Sequence, residues 1–150
     1  DGEEGPAVLV SQMLKSRPRH VVDIDRHRTV RDAARLMATH DIGALVVRSG
    51  ERMCGILSER DVARAVAGRG LRLADTAVEA LMTAAVVTCG PGDDSDDLMR
   101  VMTAHGIRHL PVEIDGRLVG MVSIRNIVQA RLAELEHERA ALCDYVAGVT

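Results

Sequence analysis

Gly55-Ile56-Leu57-Ser58-Glu59-Arg60-Asp61-Val62 is written twice in this chain. Sixty-five positions on stands Gly120-Met121-Val122-Ser123-Ile124-Arg125-Asn126-Ile127, with Gly, Ser and Arg kept in register. Each copy reads as the end of an apolar strand, a Ser at a helix N-cap, and a helix that opens on polar residues. Alone, Ser-x-x-Asp is a capping box, in which a hydroxyl and an acidic side chain satisfy backbone N–H groups of the first turn. The repetition asks for more than a cap.

With the same shift Val21/Val86, Val22/Val87, Asp32/Asp97, Arg35/Arg100, Met37/Met102, His40/His105, Ile42/Ile107, Leu45/Leu110 and Val47/Val112 also match, and no gap is needed from Val21 to Ile127. That is an internal duplication. In the first copy Val21 to Ile24 reads as a brief strand. Thr29 then caps a helix to about His40, with Val30, Ala33, Ala34, Met37 and Ala38 on its apolar face. Ile42 to Val47 is a continuous apolar strand, and Ser49-Gly50 turns it into another, Met53 to Leu57. Ser58 opens the next helix, which Gly68-Arg69-Gly70 ends. The order recurs with a strand at Val86-Val87, a helix to His105, a strand at Arg108 to Val112, a turn at Asp115-Gly116 and a strand from Leu118 to Val122. Short helices are expected at Val8 to Leu14 and Val78 to Met82, a break at Ser16-Arg17-Pro18-Arg19, and no order in the acidic, Gly-rich stretch Asp1 to Pro6.

The expected fold class is therefore α+β, with tandem β-α-β-β-α repeats over residues 8–67 and 75–130 and a C-terminal helical extension over 131–150. A unit of about 60 residues buries too little surface to stand alone easily. The two are expected to pack sheet to sheet with pseudo-two-fold symmetry.

Composition removes several functions. With 47% hydrophobic and 27% charged residues the chain has a globular make-up. No apolar run approaches the roughly 18–20 residues of a membrane span, and no signal-peptide pattern is present, so a cytoplasmic protein without a membrane role is expected. A net charge of −3 gives no general attraction to phosphate backbones. Tyr145 is the one aromatic ring besides histidine, which counts against the base stacking of single-stranded nucleic-acid binders. Any base held here must lie between aliphatic side chains. Cys54, Cys89 and Cys143 are odd in number and lack CxxC spacing, which fits reduced thiols. Asp93, Asp94, Asp96 and Asp97 suit the positive end of a helix dipole better than a metal. His105 and His109 bridge a helix end and a strand, with no Cys or carboxylate to complete a metal set.

The duplicated unit, with "HDIGALVV" and "HGIRHLPV" before "GILSERDV" and "GMVSIRNI", resembles the cystathionine-β-synthase (CBS) domain pair, or Bateman module, over about residues 8 to 130. The resemblance implies a regulatory module whose cleft binds an adenosine-containing ligand: AMP first, with ADP, ATP, NAD or S-adenosylmethionine as alternatives. It also implies a flat dimer of two modules. A tail ending near Tyr145-Val146-Ala147-Gly148 is similar to that of stand-alone bacterial CBS proteins.

Carried over residue by residue, the resemblance places Asp61 on both ribose hydroxyls and Ser58 on a phosphate or ribose oxygen. Ile56 lies along the adenine or ribose, and the opposite wall comes from Val87 and Ile107-Arg108-His109. The mirror-image site uses Val22, Ile42-Gly43-Ala44, Met121, Ser123 and Asn126. An ionised carboxylate can accept from two vicinal hydroxyls, and a helix start offers N–H groups and positive potential to a phosphate. Asn126 departs from the pattern. Its amide has one acceptor oxygen and no charge, so the second site is expected to be weaker or to prefer another ligand.

Arg60 and Arg125 sit at helix starts, where a nearby anion would relieve their conflict with the dipole. Arg108 and His109 either reach a phosphate or are ordinary surface and half-buried groups. His40 and His105 end equivalent helices and read as structural. From Val128 the apolar positions Val128, Leu132, Leu135, Leu142 and Val146 follow a heptad-like spacing interrupted by Arg139, for packing on the first repeat or on a second subunit. No nucleophile–base pair, P-loop or GxGxxG stands in the sequence. The expected function is a non-catalytic sensor acting as a homodimer on an unidentified protein partner. Its rivals are a structural dimerisation module with an empty cleft, and an enzyme using His109 or Cys89.

Overall fold

The computed structural model describes residues 7–15 and 21–148. The expectations placed on Asp1 to Pro6 and on Ser16 to Arg19 lie outside the described residues. In chain order the elements are α1 (Val10–Lys15), β1 (Asp23–Asp25), α2 (Val30–His40), β2 (Ala44–Ser49), β3 (Arg52–Ser58), α3 (Glu59–Arg69), α4 (Ser95–His105), β4 (His109–Ile114), β5 (Arg117–Ser123) and α5 (Ile124–Val146). Two short 3-10 segments, Gly70–Asp75 and Val78–Ala80, lie between α3 and α4. The chain divides into two units, residues 21–87 and residues 7–15 with 88–148.

In the first unit β2 lies between β1, to which it is parallel, and β3, to which it is antiparallel. A central strand must be apolar on both faces, and Ala44 to Val47 are all buried. The Thr29 hydroxyl accepts the Asp32 N–H at 3.2 Å and starts α2, which buries Val30, Ala33 and Met37 against Leu45, Val47 and Leu57. Ala34 and Ala38, expected on that apolar face, are exposed: they lie beside the narrower stripe that Val30, Ala33 and Met37 bury.

The second unit repeats the hairpin. β4 pairs with β5, and the register slips at Val112/Glu113 where β2 and β3 slip at Val47/Arg48. Asp115 and Gly116 both have positive φ, 51° and 76°, as a two-residue type I′ turn requires. Asp94 and Asp97 form a reciprocal cap at the start of α4, so these carboxylates serve the helix.

The strand expected at Val86-Val87 is absent. Only Cys89 makes an isolated parallel bridge, to Val112, through its N–H to the Pro111 carbonyl (2.9 Å) and its carbonyl from the Glu113 N–H (2.9 Å). Two prolines explain the loss. In the first repeat the ladder continues on both sides, from Val46 N–H to Val22 O (3.3 Å) and from Arg26 N–H to Arg48 O (2.9 Å). The residues equivalent to Val46 and Arg26 are Pro111 and Pro91, which have no N–H to give. The strand is cut at both ends. In the first repeat it is also displaced, to Asp23–Asp25 from the expected Val21 to Ile24.

The units differ from the linear division at 8–67 and 75–130. Each repeat is closed by the segment that precedes the other repeat in the chain. Thr83 pairs with Ile56 on β3, and Met82 lies over Gly55; α1 packs against β5, with Leu14 over Gly120. Likewise Val78 and Val10 are both fully buried. A Cβ on Gly55 would fall 2.6 Å from Met82 Sδ and 2.9 Å from the Thr83 carbonyl oxygen. One on Gly120 would fall 2.6 Å from Leu14 Cδ2, the mobile end of a side chain.

Gly55→Ala is therefore expected to destabilise by about 1–3 kcal/mol, the range for overpacking, because backbone as well as side chain must move. Gly120→Ala should cost less. Thermal denaturation of the two variants checks the order; an equal or reversed loss would contradict this packing.

Candidate ligand-binding site

The repeated phrase folds twice into the same device. A strand ends on a Ser whose hydroxyl accepts the N–H three residues on: Asp61 N–H to Ser58 Oγ at 3.2 Å, and Asn126 N–H to Ser123 Oγ at 3.3 Å. The third residue answers with its own side chain. Ser58 N–H donates to Asp61 Oδ2 at 3.0 Å, and Ser123 N–H donates to Asn126 Oδ1 at 2.9 Å. Both are full capping boxes.

Backbone carbonyls complete each helix start. Glu59 N–H donates to Gly43 O (3.0 Å) and Ile124 N–H donates to Arg108 O (2.9 Å). In each, the first and third amides are already used inside the unit.

Within residues 21–87 the structure brings Ala44 opposite Ser58, Gly43 onto Glu59, and half-buried Ile56 onto Thr83. Arg60 is exposed and Asp61 half-buried in the first turn of α3. Val22, just before β1, and Val87, two residues before Cys89, are half-buried, and Ile42 follows the end of α2 with its N–H on Met37 O (3.0 Å). In the other unit His109 stands opposite Ser123, Met121 opposite Pro111, and Ile107 gives its N–H to Met102 O (3.0 Å). Arg108 is exposed and touches the helix start through its carbonyl.

Asn126 is the point where the two devices part. It is buried, 8% exposed, and among the described residues its Nδ2 has no hydrogen-bond partner. The sequence comparison marked Asn126 as a weaker Asp; burial of an unanswered donor is visible only in three dimensions.

Cys89 occupies the position equivalent to Ile24 and is packed like it. Burial, with the nearby Asp93 carboxylate, pushes its thiol from an ordinary 9.0 up to about 12. A thiol held protonated at neutral pH is a poor nucleophile, which counts against an enzyme built on Cys89. Among the described residues no group of three or more His, Cys, Asp and Glu side chains could hold a metal ion, and no helix is long and apolar enough to cross a membrane.

α5 runs unbroken for 23 residues, so the helix of the second repeat and the C-terminal extension are one element. Its first turn is buried at Asn126 and Ile127. Beyond that the apolar stripe is open: Val128 is 50% exposed, Leu132 55%, Leu135 53%, Leu142 65% and Val146 78%.

A duplicated α+β unit, each copy ending in a Ser-capped helix beside a short hairpin, defines a tandem-repeat module. The chain belongs to the CBS domain family, whose pattern matches residues 13–68 and 78–133. It is 38% identical over 125 residues to the mitochondrial CBS domain-containing protein CBSX3 of Arabidopsis thaliana, covering 80% of this chain and 61% of that protein. A CBS-domain containing protein of known structure from Agrobacterium tumefaciens is 38% identical, with a TM-score of 0.81 over 83% of this chain and 99% of that one. The CBS domain pair of protein MJ0100, solved with 5′-methylthioadenosine and S-adenosyl-L-methionine, is 26% identical, with a TM-score of 0.71 over 86% of this chain and 99% of that one.

The thiols supply a pH test. Exposed Cys143 should react readily with Ellman's reagent at pH 8 in the folded protein, and Cys89 should not, reacting only on unfolding. Because the folded pKa is raised, the contribution of protonated Cys89 to stability is whole below 9.0 and is lost as pH rises toward about 12. Rapid labelling of Cys89 at pH 8 without unfolding would contradict its burial.

Proposed function

We propose that this chain is a non-catalytic regulatory module that binds an adenosine-containing ligand through Ser58 and Asp61. One observation carries the reading: the Ser58 amide holds the Asp61 carboxylate in place through one oxygen, Oδ2. A carboxylate has about four lone-pair sites, and the cap uses one of them. The rest suit vicinal ribose hydroxyls, and the Ser58 hydroxyl, though accepting from Asp61 N–H, retains a proton to donate. The ligands of the MJ0100 domain pair support the class of compound.

AMP is the ligand of choice, with ADP, ATP, NAD and S-adenosylmethionine as alternatives. We assign Ile56 and Val87 to the base or ribose, Arg60, Arg108 and His109 to phosphate, and the Ile107 backbone to the adenine edge. Val22, Ile42, Gly43, Ala44, Met121, Ser123 and Asn126 form the second, weaker set. The three free thiols fit a reducing compartment such as the cytoplasm.

The open stripe of α5 favours a homodimer through which ligand binding reaches a protein partner. A second copy is its occupant by charge as well as by apolar spacing. Arg131 and Glu136 flank the stripe five positions apart, the spacing at which opposite charges meet between parallel helices. A chain ending at Ala130 should lose this association. Light scattering that shows an unchanged dimer for the shortened chain would refute the role of the tail.

The ligand reading is tested by thermal unfolding with AMP, ATP, NAD and S-adenosylmethionine in turn. A ligand at a hundredfold excess over Kd adds about 2.7 kcal/mol, which raises Tm by several degrees. Asp61→Asn retains the kind of cap that Asn126 already makes, and should lower AMP affinity roughly 10- to 150-fold by calorimetry. No shift with any of the four would leave the structural dimerisation module in its place.

A further inference from the structure

The two helix starts present opposite chemistry at matched positions. Asp61 and Asn126 each give one oxygen to the amide of the N-cap Ser. What each side chain has left over differs. On Asp61 it is a second carboxylate oxygen, an acceptor; on Asn126 it is Nδ2, a donor with two hydrogens. The cap also settles which way the Asn126 amide faces. Turning it over would set Nδ2 against the Ser123 N–H, donor to donor. Since Nδ2 and Oδ1 share one carbon, Nδ2 is held at the same first turn of α5.

There it is shielded from solvent and has no partner among the described residues, on a residue only 8% exposed. Native proteins seldom leave a buried donor unanswered, because its lost hydration is not returned. An acceptor oxygen from a ligand would return it. Of the backbone amides there, Ile124 N–H and Asn126 N–H are engaged by Arg108 O and Ser123 Oγ.

Charge has moved in the same direction. The first turn of α3 carries Glu59 and Asp61 against one guanidinium, Arg60, whereas that of α5 carries Arg125 and no acidic residue. The positive end of the helix dipole is thus offset by carboxylates in one repeat and reinforced in the other. We infer that the start of α5 takes an oxyanion of the phosphate type on Asn126 Nδ2, where the start of α3 takes neutral hydroxyls on Asp61. This rests on the proposed reading in placing a ligand at these helix starts. The phosphate is either free or part of a nucleotide, and the two sources separate experimentally.

The side-chain amide resonances of Asn126 in the 15N-labelled protein, identified by their loss in Asn126→Asp, report directly on Nδ2. Inorganic phosphate, AMP and adenosine are titrated separately at constant ionic strength. Saturable movement with phosphate and with AMP, but not with adenosine, is expected; movement with AMP alone assigns the phosphate to a nucleotide. Calorimetry should show Asn126→Asp binding the active anion at least about tenfold more weakly, as a charge-assisted hydrogen bond is replaced by repulsion. Asn126→Asp copies the cap that Asp61 makes, so its fold should be kept, and the wild-type titration decides even if it is not. Immobile Asn126 resonances with both anions, movement by adenosine equal to that by AMP, or undiminished anion binding by Asn126→Asp would overturn the inference. Failure of the adenosine reading is seen elsewhere, as AMP binding indifferent to Asp61→Asn, and leaves a positive result with inorganic phosphate standing.

Discussion

The hydrogen bond from the Ser58 amide to Asp61 Oδ2 is the contact on which both the fold and the proposed site depend. It ends β3, starts α3, and fixes a carboxylate at the first turn without using up its capacity to accept. Structural and functional readings of Ser-x-x-Asp are therefore not alternatives. The cap positions the group that a ligand would meet, and a side chain already held by packing and hydrogen bonding loses little freedom on binding. The same geometry with an amide in place of the carboxylate, at Asn126, keeps the cap and changes what is offered beyond it.

Close approach of backbone is the second constraint. Gly55 and Gly120 lie under Met82 and Leu14, side chains from segments that precede the opposite repeat in the chain. Each unit is thus completed by residues remote in sequence, which makes the duplicated halves interdependent along the chain. Gly55 recurs at Gly120 because the crossing leaves no room for a Cβ, and conformational freedom has no part in it: neither residue has positive φ.

Much of this was legible in the residues. The 65-residue shift gave the order of elements, the Ser caps and the hairpins, because period-two and helical spacings are local signals. The lost strand at Val86-Val87 was also written there, in Pro91 and Pro111. Its meaning needed the ladder that shows which amides the first repeat uses. The exchanged closing segments were hidden for another reason. Val10 and Leu14 correspond to Val78 and Met82 at a shift of 68, so they fall out of register with the main repeat. The unanswered Nδ2 of Asn126 and the exposure of the α5 stripe depend on long-range burial, which no spacing encodes.

Diffraction from crystals grown with AMP at saturating concentration tests the central claim most directly. The ribose 2′- and 3′-hydroxyls should lie within hydrogen-bonding distance of the Asp61 carboxylate, with Asp61 Oδ2 still accepting the Ser58 amide. A nucleotide bound with its ribose away from Asp61, or a saturated solution that leaves Asp61 without ligand, would contradict it.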